Sequence, residues 1–301
     1  MFKRILVPLD GSELSELALP YAEELAGSLN SEVELVYVCE PEENQYRHMH
    51  QLYIEKIAQT ARNHIKAYPT RETNTAAPVK PVILDGDPAA EIIDYAERND
   101  ISLVVMVSHG RSGIMPWSMG SVAGRVMRGI SKPVLFIRGS ALSLKVGKEE
   151  IFNKILVPLD GSETGEAALP YVKGLTEKLK SEVTLLEVVA PGQHVHTIGG
   201  LDYVLFPEEE IEHLRTVAKQ NLEEAGKKLA DTRAIVKYEV KTGNAAQEII
   251  KLADETNARL IAISTYGQTG IRRWISGSVT DKVLQAGHTP VLLVRALQAK
   301  S

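Results

Sequence analysis

Nine consecutive residues, Ile5-Leu6-Val7-Pro8-Leu9-Asp10-Gly11-Ser12-Glu13, return letter for letter from Ile155 to Glu163. The echo continues downstream. Ala18-Leu19-Pro20-Tyr21 returns as Ala168-Leu169-Pro170-Tyr171, Gly120-Ser121-Val122 as Gly277-Ser278-Val279, and Pro133-Val134-Leu135 as Pro290-Val291-Leu292, while Gly86-Asp87-Pro88-Ala89 is matched more loosely by Gly243-Asn244-Ala245-Ala246. Colinear repetition of this kind restricts the chain to two copies of one fold. The offset grows from 150 to 157, a net insertion of seven residues between 171 and 243, expected as a loop around Gly192 to Pro207. The domains are expected at 1–140 and 151–297, joined near Gly139 to Glu150; 301 residues suit two domains of about 150 each.

Within each copy, apolar β-branched runs alternate with stretches of helical period. Strands are expected at 4–9, 33–38, 79–84, 102–107 and 133–138, and again near 154–159, 183–189, 234–240, 259–264 and 290–295. Ser12 is the expected N-cap of the first helix, with Pro20 breaking or kinking the pattern behind it. Five strands in strict alternation with four helices predict an α/β fold, a doubly wound parallel sheet in each copy. The closing strands, 133–138 and 290–295, read as apolar edges that need cover.

Composition narrows the partners. A net charge of −5 leaves no basic excess to offset a phosphate backbone, so nucleic acid is not an expected partner. Cys39 is the single cysteine, which excludes an internal disulfide and suits a reducing compartment. The opening apolar run is too short for a signal peptide and no run approaches a membrane span, so the expectation is a cytoplasmic protein with no membrane partner.

In a doubly wound sheet, ligands bind beyond the carboxyl ends of the strands where strand order reverses. Two loops fall there. One is Pro8-Leu9-Asp10-Gly11-Ser12; the other runs from Ser108 through Gly110 and Gly113 to Gly120-Ser121, and they face each other if strands one and four are neighbours. Glycines admit a close backbone approach, and a helix start offers unpaired N–H groups to phosphate. Asp10 and Asp160 would repel phosphate but can accept hydrogen bonds from ribose hydroxyls, so the pair of loops suggests a nucleotide.

These motifs resemble the universal stress protein family. Gly110, nine residues, Gly120-Ser121 fits the family's ATP-binding pattern, as does Gly267, nine residues, Gly277-Ser278, and the two copies cover nearly the whole chain. The resemblance implies a Rossmann-like fold of the adenine nucleotide alpha hydrolase type. It also implies ATP as ligand, with any Mg2+ held through the phosphates, and a role as stress-response sensor or regulator. By the same resemblance Asp10 and Asp160 contact the nucleoside, Pro8 and Pro158 wall the adenine pocket, and the backbone of Val38 and Val188 reads the adenine edge. Gly110, Gly113, Gly120, Ser121 and Val122 form the phosphate loop, matched by Gly267, Gly270, Gly277, Ser278 and Val279. Family domains commonly meet through their closing strands, which implies an intrachain pseudo-dimer and allows a homodimer.

Two positions depart from the pattern: its first glycine is Val107 in one copy and Ser264 in the other. If a positive φ is needed there, either residue costs about 1–2 kcal/mol, valine being the worse. Because serine is also the smaller, the second copy is expected to bind ATP more tightly. The alternatives are a slow ATPase or nucleotidyl transferase using the same cleft, and an interaction module without nucleotide. Against turnover, there is no Walker lysine, and His109, the nearest candidate base, becomes Tyr266 in the second copy. No catalytic residue is therefore assigned. The pairs His48-x-His50 and His194-x-His196 have no carboxylate or cysteine at helpful spacing, and no metal site is expected from them. Trp117 and Trp274 are expected to anchor the glycine loops.

Overall fold

A computed structural model describes residues 2–66, 78–108, 119–138, 151–197, 200–265 and 278–296. In the first repeat the order is β1 (Arg4–Leu9), α1 (Glu13–Glu16), α2 (Leu19–Leu29), β2 (Glu32–Cys39), a 3-10 helix (Pro41–Tyr46), α3 (Arg47–Ile65), β3 (Val79–Asp85), α4 (Pro88–Arg98), β4 (Leu103–Val107), α5 (Ser121–Gly129) and β5 (Val134–Ile137). The second repeat runs β6 (Lys154–Leu159), a 3-10 helix (Gly165–Ala168), α6 (Leu169–Thr176), β7 (Glu182–Val189), β8 (Gly192–Thr197), β9 (Gly200–Leu205), α7 (Glu208–Lys227), β10 (Ile235–Thr242), α8 (Ala245–Thr256), β11 (Leu260–Ser264), α9 (Ser278–Ala286) and β12 (Val291–Val294).

The helix boundaries follow from local chemistry. Ser12 caps α1, its hydroxyl accepting from the Ser15 N–H at 3.1 Å. Pro20 sits in the first turn of α2, where its missing N–H costs nothing, so the expected break falls at Leu17–Ala18 between two helices. Asp87 caps α4 and Asn244 caps α8 in the same way, each accepting from the N–H three residues on. Left-handed Asn30 and Asn257 end α2 and α8.

The chain divides into two compact units. The first holds the first repeat through Ile151 together with His288–Arg295, so β12 of the second repeat belongs to it. Its strand order is β12–β5–β4–β1–β2–β3, parallel except that β12 runs antiparallel to β5, with Val291 opposite Phe136 and Leu293 opposite Val134. β5 is therefore not an open edge. Arg295 reinforces the seam by donating to the carbonyls of Met127 and Arg128 at the end of α5. The core strands β1, β4 and β5 are apolar almost throughout, as a sheet covered on both faces requires.

The second unit holds Phe152–Gly287, with strand order β10–β7–β6–β11, all parallel. The main sheet takes five strands from the second repeat, β6, β7, β10, β11 and β12, the number expected. The inserted segment, by contrast, is not a loop. β8 and β9 form a separate antiparallel hairpin, from Gly192 opposite Leu205 to Thr197 opposite Gly200. Among the described residues no helix is long and apolar enough to cross a membrane.

Candidate functional site

β1 pairs with β4 on one side and β2 on the other, so strand order reverses between β1 and β4. Above that point lies a cavity of about 250 Å³ in the first unit. Its lining brings Pro8 and Asp10 from the end of β1 together with Val38 from the end of β2 and Gly120, Ser121 and Val122 from the start of α5. Val36, Ile92, Met106 and Val107 supply apolar wall. Gly110 and Gly113 lie outside the described residues, as do His109 and Trp117.

Asp10 is held by the turn that follows it. One carboxylate oxygen accepts from the Ser12 N–H at 3.0 Å and from the Ser12 hydroxyl at 2.6 Å. Gly11 makes the turn possible with φ of 77°, a conformation that costs other residues about 1–2 kcal/mol. Tyr53 of α3 donates to Glu16 of α1 at 3.0 Å and so braces this loop from outside; burial raises the pKa of its phenol.

Across the cavity the Gly120 N–H donates to Ser108 at 2.8 Å, and its carbonyl accepts from Gly124 at 2.8 Å. That bond pins the start of α5 to the end of β4. The N–H groups of Ser121, Val122 and Ala123 are the first of the helix and have no intrahelical acceptor. Gly120 has φ of −56°, so glycine serves close approach there and not an unusual backbone. Between the two, the pairing of β2 with β1 ends at Leu9 opposite Tyr37, one residue short of Val38.

Val107 lines the cavity from the end of β4 and Ser264 ends β11. Neither is among the residues of positive φ, which outside glycine are Asn30, Asp100 and Asn257 in the described chain. The strain expected at these two positions is therefore absent, because each is the last residue of a regular strand. Nor does Ser264 leave open space: its hydroxyl donates to the Thr164 carbonyl at 2.7 Å, and its own carbonyl accepts from Thr280 at 3.2 Å.

In the second repeat Pro158 and Asp160 stand at the end of β6, Val188 near the end of β7, and Ser278 and Val279 at the start of α9. Asp160 repeats the turn of Asp10, accepting from Ser162 N–H at 3.1 Å and Oγ at 2.6 Å. Gly267, Gly270, Gly277, Tyr266 and Trp274 lie outside the described residues. The matching positions of the two repeats differ in content. Where the first has Tyr37, the second has Glu187, whose carboxylate accepts from Asn221 of α7. These side chains crowd Gly161: a Cβ there would lie 2.7 Å from the Asn221 amide nitrogen. Burial pushes the Glu187 carboxyl up to about 7; the Asn221 hydrogen bond opposes this and the Asp160 charge adds to it.

Beside the first cavity the fold assembles a cluster the sequence spacing hides. Cys39 at the end of β2, Glu43 in the 3-10 helix and His50 in α3 each place one donor atom within 4.8 Å of the other two. His50 thus meets both a cysteine and a carboxylate, contrary to the expectation drawn from its immediate neighbours. His48 is exposed.

Comparison with known proteins gives these features a family. The universal stress protein family matches residues 1–138 and again 152–295. The chain is similar to the universal stress protein MJ0577 of Methanocaldococcus jannaschii, 31% identical over 155 residues that make up 48% of this chain and 96% of that protein. It is 23% identical over 316 residues to the universal stress protein Slr1230 of Synechocystis, spanning 97% of this chain and 100% of that one. In fold it resembles the crystal structure of a universal stress protein from Archaeoglobus fulgidus, with a TM-score of 0.70 at 20% identity, covering 99% and 100% of the two chains.

Proposed function

The chain belongs to the universal stress protein family as a tandem member, and from that premise we propose that its first repeat binds ATP and acts as a nucleotide-dependent regulator of the stress response. The observation that carries this reading is the meeting of Asp10, Val38 and Gly120-Ser121-Val122 in one cavity. A volume of about 250 Å³ lies just below the roughly 300–1,000 Å³ of typical small-molecule sites, which suits a nucleoside with its phosphates at the open end. Adenine lies against Pro8 and the apolar wall, its edge read by the Val38 backbone that β1 leaves uncovered. Asp10 accepts from the ribose hydroxyls. The leading N–H groups of α5 and the positive end of its dipole take the phosphates, and any Mg2+ rides on those phosphates.

The first repeat is the tighter site in this reading, reversing the expectation from residue size at Val107 and Ser264. In the second crevice Glu187 and Asn221 occupy space and add negative charge near Asp160 above neutral pH, which disfavours a polyphosphate. Occupancy acts by shifting populations: a conformation or assembly state that holds the loops around Asp10 and Gly120 closed gains the nucleotide's binding energy.

Titration of a fluorescent ATP analogue into the full chain tests this. Gly120→Val should abolish the high-affinity phase and Gly277→Val should leave it. Equal losses from both variants would refute the assignment to the first repeat, and no binding at all would refute the nucleotide reading. Mass spectrometry of the denatured, purified chain separates regulation from turnover: co-purified ATP supports a regulator, ADP or AMP an enzyme.

A further inference from the structure

β2, the 3-10 helix and α3 form a tight reversal at the upper end of the first sheet. Side chains from these consecutive elements meet there although they stand four and seven residues apart in sequence, as Cys39-x3-Glu43-x6-His50. A thiol, a carboxylate and an imidazole are three different ligand chemistries, and they converge on one point. Their donor atoms lie within 4.8 Å of one another, and Glu43 Oε2 is already 3.8 Å from His50 Nε2. Tetrahedral zinc, with bonds of about 2.0–2.3 Å, holds its donors roughly 3.3–3.7 Å apart. A contraction on the order of 1 Å, within reach of rotamer adjustment, closes the set.

Two further features show a built site. Among the described residues His50 Nε2 is shut off from solvent and finds no hydrogen-bond partner, an arrangement that is costly unless something else occupies the nitrogen. The Cys39 thiol is buried, and its polar contacts among the described residues are long, 3.8 Å to the Glu40 carbonyl and 3.9 Å to Asn44. Tyr37 orients both of the other groups. Its ring stacks on His50 with centroids 4.3 Å apart and an angle of 18°, and its hydroxyl donates to Glu43 at 3.2 Å. Outer-shell contacts of this kind fix the direction of ligands before metal arrives.

We propose that Cys39, Glu43 and His50 bind a borderline transition-metal ion, with Zn2+ the best match, leaving the fourth position open to water. Thiolate and imidazole together select against Mg2+ and Ca2+, which prefer all-oxygen sites, and the two negative ligands neutralise a divalent ion. The three-ligand pattern with an open position is that of a reactive or exchangeable site, in contrast to the closed four-ligand pattern of structural zinc. Glu43 also lines the neighbouring cavity, so metal would fix one of its walls.

Cobalt(II) reports the site directly when added to the reduced, full-length chain without nucleotide. One equivalent should bind with the visible bands of tetrahedral cobalt and a thiolate-to-cobalt band in the near ultraviolet, and Zn2+ should displace it. Cys39 is the only cysteine, so the thiolate band has one possible source. Its absence from the unaltered protein overturns the proposal, whatever the variants do. Tyr37→Phe, which keeps all three ligands and the stack but removes the hydroxyl that donates to Glu43, should weaken binding about tenfold. His50→Ala should weaken it further, whereas His48→Ala should leave it unchanged. Equal weakening by the two histidine variants would also overturn the assignment.

Discussion

The side-chain amide of Asn221 donates to both carboxylate oxygens of Glu187, at 3.3 and 3.4 Å, at the position where the first repeat carries Tyr37. A carboxyl that is half-buried and faces Asp160 prefers its proton, and its pKa rises from 4.5 to about 7. A raised acid pKa favours the fold while the proton is bound. The contribution is complete below about pH 4.5 and disappears as pH climbs through about 7. Glu187→Gln should therefore reduce the fall in urea midpoint between pH 5 and pH 8. If the variant loses as much stability over that range as the parent, Glu187 does not titrate as described.

The Glu23–His64 pair makes a related prediction in the first unit. Glu23 is buried on α2, which drives its carboxyl up towards 7, while His64 of α3, 3.1 Å away, acts in the opposite direction. The sign is again a loss of stability as pH rises from the ordinary carboxylate range through neutrality. His64→Ala should steepen that loss, and Glu23→Gln should remove it. The two glutamates lie in separate units, so their effects should add, and the double variant Glu23→Gln/Glu187→Gln should show the flattest profile.

For the nucleotide, Asp10→Ala should weaken binding about tenfold to a hundredfold, since a ribose hydroxyl loses a charged acceptor worth about 1.5–3 kcal/mol. Ser12→Ala should weaken it less and also cost about 1 kcal/mol of stability, because Ser12 both holds Asp10 and caps α1. Competition titrations and urea curves on the same samples separate the two effects. An Asp10→Ala chain with full affinity would place the ribose elsewhere.

Phe136 is fully buried on β5, opposite Val291 of β12. Phe136→Ala should cost about 3–5 kcal/mol, the usual result of removing a buried ring. The measurement is the shift in the urea midpoint of the first unit's transition. A loss near 1 kcal/mol would mean that the neighbouring strands close over the gap.

Local chemistry made much of this legible. The strands of the main sheet, the cap at Ser12 and a break in the helical pattern beside Pro20 follow from residues next to each other in sequence, and the literal repeat doubled the strand signal. The cavity was legible too, since a doubly wound order forces the Asp10 and Gly120 loops to one end of the sheet. What escaped depends on partners far apart or on side-chain packing. The antiparallel seating of β12 on β5 leaves no periodicity to read. The β8–β9 hairpin is the exception, since Gly199-Gly200 is a turn dipeptide of the kind that announces one, within a segment expected as a loop. Asn221 gives no sign in sequence of reaching Glu187. Cys39, Glu43 and His50 follow none of the usual ligand spacings, and only the reversal through the 3-10 helix brings them together.

The seating of β12 in the first unit also carries a cost in time. A ribosome releases the first repeat long before it reaches Val291, and through that interval the apolar strand Val134–Ile137 has a bare row of N–H and C=O groups. Another nascent copy presents the same strand, so the delay is a window for mispairing between chains. A gene cut between the repeats would make that window permanent.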